Sequence, residues 1–237
     1  MALDREVAIK YLGHATFLMT TPGGGSLLID PWVQNNPACP DSHKQIDSVD
    51  TMLITHAHFD HIQDAVEIAK THQPEIGCIF EIGNWLERKG VQKVNPMNKG
   101  GTQQINDVRV TMVDARHSCG ILEDDGSISY GGTAAGYVVE FENGFRLYHA
   151  GDTCVFGDMK IIAELYQPDL ILLPIGDRFT MSPREAAYAC RLMDAKKVVP
   201  MHFGTFPPLT GTPQELEELT RDLGTEIIQI QPGETVR

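Results

Sequence analysis

Four residues that commonly bind metal ions lie within six positions of one another: His56, His58, Asp60 and His61. Imidazole nitrogen suits zinc and several other transition metals, and a carboxylate adds the negative charge that a second cation would need. A polar turn with accidental histidines is the alternative, but histidine is uncommon, with nine in 237 residues. The spacing therefore predicts a metal site.

The segment before these ligands indicates how they are positioned. Residues 52–54 are an apolar run, which predicts a short buried strand. The ligands then follow the end of a strand, the usual place for chemistry in an α/β fold. Because side chains alternate along a strand, we expect the first three ligands to share one face. His61 would lie in the turn into a helix over residues 63–71.

The ligand motif belongs to a longer series of motifs. His56-x-His58-x-Asp60-His61 is the signature of the metallo-β-lactamase superfamily. Five more segments follow the same pattern: Tyr11-Leu12-Gly13-His14-Ala15, Ile29-Asp30-Pro31, His149-Ala150-Gly151-Asp152-Thr153, Pro174-Ile175-Gly176-Asp177 and Val199-Pro200-Met201-His202. From about residue 7 to the C-terminus, the chain resembles a branch of metal-dependent hydrolases that includes the YtkL-type proteins. That branch is related to L-ascorbate-6-phosphate lactonase and to the phospholipase D that cleaves N-acyl-phosphatidylethanolamine.

The resemblance implies a fold and a set of ligands. The fold is α/β, an αβ/βα four-layer sandwich of two mixed sheets flanked by helices, formed as one domain over residues 1–237. One metal ion would be bound by His56, His58 and His117, and a second by Asp60, His61 and His202, with Asp152 as the bridging carboxylate. Asp60 would also orient the nucleophile or pass on its proton. A nitrogen and oxygen ligand set without sulfur allows zinc or manganese, and less readily iron.

Three further side chains are expected near this site. His14, in the bend after Gly13, is expected to contact substrate rather than metal. Asp30 is expected to orient one of the ligand histidines. Asp177 either supports the site or caps its own loop. Arg178 is a candidate anion contact, but the resemblance carries no role over to it.

Some segments are predicted less completely. Residues 120–132 form either a mobile flap beside the site or a surface loop, and the sequence does not separate the two. Ser182 and Thr212 each begin a capping box with proline at the first helical position, which predicts two helix starts. His149, at a strand end, is expected to pack or bond to backbone rather than to bind metal.

Composition narrows the class of partner and compartment. The net charge is −13 and no lysine- or arginine-rich run is present, which disfavours nucleic acid and favours a small-molecule substrate. The five cysteines are scattered without C-x-x-C spacing, as expected of free thiols in a reducing compartment. Residues 1–6 contain no apolar stretch typical of a secretory signal, and no segment is long and apolar enough to span a membrane. We therefore expect a cytoplasmic protein, and relatives suggest a homo-oligomer.

Two cations bridged by a carboxylate predict a hydrolase. Bound metal lowers the pKa of water from 15.7 to about 7, so a metal-bound hydroxide is available at neutral pH. The bond attacked would be of the ester type, in a phosphodiester, a lactone or a thioester. Analogy with the relatives alone favours a small phosphorylated substrate, either a phosphodiester or a sugar-phosphate lactone.

Two other classes of function are weighed against hydrolysis. Oxidoreduction at a di-iron centre occurs in the flavodiiron branch of the superfamily, whose motif has glutamate where this chain has His58. The second class is a non-catalytic, metal-stabilised small-molecule-binding protein. Structural metal sites are usually closed and four-coordinate, unlike seven mixed ligands with room for water.

Overall fold

Two mixed β-sheets form the centre of the computed structural model, which describes residues 6–237. The first sheet comprises β1 (Ala8–Gly13), β2 (Thr16–Thr20), β3 (Ser26–Ile29), β4 (Thr51–Leu53), β5 (Glu75–Ile79) and β6 (Val94–Met97). Its first three strands are antiparallel, and the strands from β3 to β6 are parallel. Residues 1–5, on which the expected lack of a secretory signal partly depends, lie outside the described residues.

The second sheet repeats this change from antiparallel to parallel pairing. Its strands are β7 (Thr102–Ile105), β8 (Val108–Asp114), β11 (Ala135–Glu140), β12 (Arg146–His149), β13 (Leu170–Pro174), β14 (Lys197–Met201) and β15 (Glu226–Ile227). The short strands β9 (Gly120–Leu122) and β10 (Ile128–Tyr130) form a separate hairpin. The last strand, β16 (Thr235–Val236), returns to the first sheet and pairs with β1.

Helices cover the outer faces of the sheets. They are α1 (Phe59–Ile62), α2 (Ala65–His72), α3 (Phe80–Arg88), α4 (Met159–Tyr166), α5 (Pro183–Met193) and α6 (Pro213–Thr220). The predicted capping boxes are present: the side chains of Ser182 and Thr212 accept from the backbone N–H groups of Glu185 and Glu215. The predicted architecture of two mixed sheets flanked by helices is confirmed.

Alternating side chains divide the core into two layers. Along β13, Leu170 and Leu172 belong to the core between the sheets, whereas Ile171 and Leu173 pack with the helices on the outer face. This follows from the two-residue period of a strand, which becomes apolar throughout when both faces are covered. The hydroxyl of Tyr137 in β11 donates to the carbonyl of Ile54 at 2.7 Å and links the two sheets.

The local structure around the ligand motif differs from the prediction. The strand ends at Leu53, and a short helix begins at Phe59, so Asp60 and His61 both lie in α1. Alternation along a strand therefore does not place Asp60 beside the first two histidines, and that expectation is wrong. The helix predicted over residues 63–71 is α2, which begins at Ala65. A turn of helix directly after the extended residue His58 brings the ligands together.

Candidate metal centre

The ligand side chains follow the carboxyl ends of four strands. His56 and His58 follow β4, His117 follows β8, Asp152 follows β12, and His202 directly follows β14. Strands β8, β12 and β14 run in the same direction, because β11 is antiparallel to both β8 and β12 and the pairs from β12 to β14 are parallel. Their ends therefore meet at one edge of the second sheet, opposite the end of β4.

Gly151 allows Asp152 to reach this edge. Its φ is +63°, and a Cβ built there would lie 2.6 Å from the carbonyl oxygen of Ala135 and 3.1 Å from the Cβ of Thr55. A residue with a side chain would be strained in this conformation and would collide with backbone. The approach of the two sheets beside Asp152 thus requires glycine.

One group of ligand atoms is formed by His56, His58, His117 and Asp152, all within 4.8 Å of one another. His58 Nδ1 lies 3.0 Å from His56 Nε2 and 3.2 Å from His117 Nε2. Asp152 Oδ2 lies 3.5 Å from His117 Nε2 and 3.8 Å from His56 Nε2. These are the four residues that the family resemblance assigns to one ion, including its bridging carboxylate.

The second group of ligand atoms contains Asp60, His61 and His202, together with His14. His202 Nε2 lies 3.9 Å from Asp60 Oδ2 and 3.0 Å from Asp152 Oδ2. His61 Nε2 lies 3.4 Å from Asp152 Oδ1. Asp152 therefore contacts both groups, the position that a bridging carboxylate requires.

The unpaired polar atoms at this centre fit divalent cations. His61 Nε2 and Asp152 Oδ1 are buried, lie 3.4 Å apart and have no hydrogen-bond partner within residues 6–237. Buried polar atoms without a partner are costly, and a cation bound between these two atoms would satisfy both. Donor atoms bound 2.0–2.1 Å from one tetrahedral ion lie ~3.3 Å apart, close to the spacings seen here. The residues present fit two metal ions.

Asp30 supports histidines of both groups. It is fully buried, and its Oδ2 accepts from His61 Nδ1 and from the hydroxyl of Thr55, each at 2.8 Å. Since that hydroxyl donates to Asp30, it accepts from His56 Nδ1 at 3.0 Å. These contacts hold a proton on Nδ1 of His56 and His61, so the neutral form of each ring presents an unprotonated Nε2, the metal-binding tautomer. The expected role of Asp30 extends to two histidines, one of them through Thr55, which the sequence analysis missed.

His14 lies behind Asp60 and not on the pocket surface where substrate contact was expected. It is fully buried. Its Nε2 lies 3.0 Å from Asp60 Oδ2 and its Nδ1 lies 3.0 Å from Thr205 Oγ1. A carboxylate can only accept and the hydroxyl can donate, so we assign the proton of His14 to Nε2. In that tautomer His14 positions Asp60.

Other polar residues stay apart from the centre. Asp177 is exposed and its Oδ1 accepts from the backbone N–H of Arg178, so it caps its own loop and does not support the site. His149 bonds to backbone, through Nε2 with the carbonyl of Ala15 and through Nδ1 with the N–H of Gly151. Cys119 is buried and its thiol donates to the carbonyl of Gly131.

Burial and mutual charge set the ionisation of the centre. Burial lowers the pKa of His14 to about 4 and holds the pKa of His56 well below its usual range, so both rings stay neutral. Burial alone would lower the pKa of His61, but the carboxylates of Asp152 and Asp30 outweigh it and raise that pKa. Burial alone would raise the pKa of Asp60, but the hydrogen bond from His14 and the charge of His61 lower it. Neutral histidines and ionised carboxylates are the forms that bind cations, so a cation at His61 would displace the proton on its Nε2.

A pocket of about 710 Å³ opens over both groups of ligands. Five of the lining residues belong to the metal centre: His58, Asp60, His117, Asp152 and His202. The remaining lining residues come from α1, the β9–β10 hairpin and its approach, and the loops after β13 and β14. Substrate entering this pocket would therefore meet the metal centre at its floor.

Comparison with known proteins places this geometry in a family. The family model for the β-lactamase superfamily domain matches residues 26–203. A UPF0173 metal-dependent hydrolase of Koribacter versatilis is 58% identical over 227 residues, covering 96% of both chains. Another from Solibacter usitatus is 56% identical and covers 97% of this chain and 99% of its own. The solved structure of Igni18, a metallo hydrolase from Ignicoccus hospitalis, has a TM-score of 0.84 at 35% identity and covers 97% of each chain. The chain belongs to the UPF0173 metal-dependent hydrolases of the metallo-β-lactamase superfamily.

Proposed function

We propose that the protein uses two divalent cations to hydrolyse an ester-type bond in a small molecule held in the pocket. The observation that carries this proposal is Asp152, whose carboxylate contacts both groups of ligands at the pocket floor. When bound, the cations supply a water molecule of lowered pKa and a Lewis acid for the oxygen on which negative charge develops. Zinc and manganese are the ions we expect there.

Asp60 is the catalytic residue in this proposal. Its side chain is 15% exposed and lines the pocket, whereas its contacts to His14 and His202 use Oδ2. We assign Oδ1 to the reacting water, which it orients as a hydrogen-bond acceptor and from which it takes a proton. The hydrogen bond from His14 fixes the carboxylate plane. A positioned general base contributes about 10²–10⁴-fold to rate.

Two considerations narrow the class of substrate. By its sequence motifs, we place the chain nearest the YtkL-type branch, and analogy there favours a phosphodiester or a sugar-phosphate lactone. The cations would hold the phosphate or carbonyl oxygen at the floor. The net charge of −13 is unfavourable for extended nucleic acid, which supports a small-molecule substrate.

The test is hydrolysis of bis(p-nitrophenyl) phosphate by manganese- and zinc-loaded protein, with metal content measured in the same samples. We expect metal-dependent turnover that falls at least ~100-fold in Asp60→Asn, as loss of a general base predicts. Turnover should be unchanged in Asp177→Asn, a loop carboxylate away from the centre. Two bound ions without turnover would count against phosphodiesters, and lactones and thioesters would be tested next. Failure of all three classes would favour the non-catalytic binding protein.

We also propose a cytoplasmic location and assembly as a homo-oligomer. All five cysteines are free thiols, four of them buried, as expected in a reducing compartment. Within residues 6–237 no helix is long and apolar enough to cross a membrane. Light scattering coupled to gel filtration would measure the oligomeric state.

A further inference from the structure

The pocket walls above the metal centre are apolar. Lining residues outside the centre are six large apolar side chains and two small residues: Phe59, Leu122, Ile128, Phe179, Phe206, Leu209, Ser118 and Gly120. Four of the ten large hydrophobic side chains that are exposed in the described chain lie in this one pocket. Such clustering of exposed apolar surface marks a binding site, whereas single exposed residues need no explanation.

The hairpin formed by β9 and β10 supplies one of these walls. Leu122 and Ile128 lie opposite each other across the two strands, so their side chains share a face. They are 59% and 76% exposed, whereas the neighbouring Ile121 turns to the other face and is 1% exposed. The two-residue period therefore directs one side of the hairpin into the core and the other into the pocket.

The turn of the hairpin is anchored to the body of the protein. Glu123 accepts a hydrogen bond from the indole N–H of Trp85 at 3.0 Å and lies 3.3 Å from Lys89 Nζ, both from the region of α3. The segment thus forms a wall of the pocket before any substrate binds. Residues 120–132 therefore lie beside the site, as the flap alternative expected, whereas the mobility of a flap stays a prediction.

The walls offer no positive charge to a substrate. Of the lining residues described between positions 6 and 237, none is a lysine or an arginine. Arg116, beside His117, lies 3.8 Å from Asp114 and 3.9 Å from Asp158. Arg178 lies with its guanidinium 5.7 Å from the centre of the Phe179 ring and outside the lining. An anionic group can therefore be held at the pocket floor by cations, but not along the walls.

We propose that the substrate carries an alkyl or aryl group on its scissile ester-type bond, and that Leu122, Ile128 and Phe179 bind this group. The proposal rests on the hydrolytic function proposed above and narrows its substrate class. Among the described wall residues, Ser118 is the one polar side chain, and its hydroxyl already lies 3.1 Å from His58 Nε2. The hydroxyls of a sugar phosphate would therefore lose hydration against these walls and gain few partners, which disfavours such a substrate. An ester, a thioester or a phosphodiester with an apolar substituent fits both the floor and the walls.

The first arm of the test measures binding without turnover. Acetate, butanoate, hexanoate and octanoate are titrated into zinc-loaded protein by isothermal calorimetry. Burial of each methylene corresponds to about fourfold in affinity, so we expect the dissociation constant to fall by about two- to fourfold per added carbon. The series should flatten in Leu122→Ser with Ile128→Ser. It should be unchanged in Ile161→Ser, a matched substitution of an exposed isoleucine on α4.

The second arm measures turnover of p-nitrophenyl acetate, butyrate and octanoate by the same proteins. We expect kcat/KM to rise with chain length in wild type and Ile161→Ser, and not in the hairpin double variant. Turnover that ignores chain length would overturn the apolar subsite and leave the hydrolase intact. Chain-length-dependent binding without turnover of any ester would support the subsite and count against the hydrolase.

A third outcome would reassign the surface. If affinity is independent of chain length and the double variant converts an oligomer into monomers by light scattering, these side chains form a subunit interface. That result would overturn the proposal.

Discussion

Replacing Asp30 by asparagine should weaken the binding of both metal ions. The asparagine can still accept from the N–H of Thr55 through Oδ1, the contact that Asp30 makes at 2.8 Å. Its NH2 group would then face the Thr55 hydroxyl and His61 Nδ1, both of which donate to Asp30 in the native protein. His61 would have to move its proton to Nε2, the nitrogen that faces Asp152. His56 would lose its fixed tautomer through Thr55.

The expected decrease in metal affinity follows from the number of ligand histidines that Asp30 orients. Removal of a partner that orients a ligand histidine typically costs about 10–100-fold in metal affinity. That factor corresponds to about 1.4–2.7 kcal/mol for each ion. Thr55→Val should affect one ion alone, because it removes the hydroxyl between Asp30 and His56 and leaves the hydrogen bond between Asp30 and His61 in place.

The assay is competition for zinc against a chromophoric chelator, fitted to two dissociation constants per chain. Asp64→Asn is the matched control, since Asp64 is also buried but accepts only from the backbone N–H groups of Val33 and Gln34 among its described side-chain hydrogen bonds. We expect both dissociation constants to rise in Asp30→Asn, one to rise in Thr55→Val and neither to change in Asp64→Asn. Native affinity for both ions in Asp30→Asn would refute the role of Asp30, and equal weakening of both ions in Thr55→Val would refute the relay.

Three further perturbations have defined outcomes. Gly151→Ala should lower both the urea midpoint of unfolding and the affinity for zinc, because the φ of +63° and the carbonyl of Ala135 leave no room for a Cβ. We expect a loss of about 1–3 kcal/mol in the free energy of unfolding. A native urea midpoint and a native zinc affinity would contradict this expectation. Metal-free protein should lose stability as the pH falls from 6.5 to about 4. Burial lowers the pKa of His14 to about 4 and also lowers the pKa of His149, so in this range the unfolded chain binds protons that the folded chain does not. His14 alone gives a slope approaching about 1.4 kcal/mol per pH unit, and His149 adds to it in the same direction. The raised pKa of His61 does not oppose this loss, because the stability that protonated His61 contributes is fully present below pH 6.5. Urea titrations at pH values of about 7, 5.5 and 4.5 would measure the loss. Chelation should lower the melting temperature of loaded protein, since each ion at a hundredfold excess over its Kd contributes about 2.7 kcal/mol; identical melts with and without chelator would mean that the ions do not stabilise the fold.

The strand before the ligands and the starts of two helices were predictable because their patterns are local. Residues 52–54 and the two capping boxes each determine structure within a few positions of themselves. Strand β16 escaped prediction because two residues cannot show a period. It forms only because β1 offers an unpaired edge to the C-terminus.

The helix that carries Asp60 shows where local patterns mislead. Residues 54–58 belong to neither the strand nor the helix, and His58, extended at φ −67° and ψ 149°, directly precedes α1. Periodicity cannot signal a four-residue helix, but the acidic residue in its first turn is favourable there. The helical turn suits the metal centre better than a continued strand. A strand would direct alternate side chains along one face, whereas the turn places both Asp60 and His61 in the second group of ligands.

The ligands were identifiable and the pocket walls were not, for a reason that bears on substrate. Metal binding restricts each ligand position to a few residue types, so the chemistry is legible in the motif. An apolar wall requires only large apolar side chains, which many residue types supply. The wall residues come from three separate segments whose polarity pattern is that of ordinary loops or edge strands: Leu122 and Ile128, Phe179, and Phe206. Two hydrolases can therefore share every ligand motif and differ in substrate through these segments alone. Exchange of residues 120–130 with a relative of different wall composition should change chain-length selectivity while zinc affinity stays the same. Transfer of metal affinity with the hairpin would show that wall and centre are not separable.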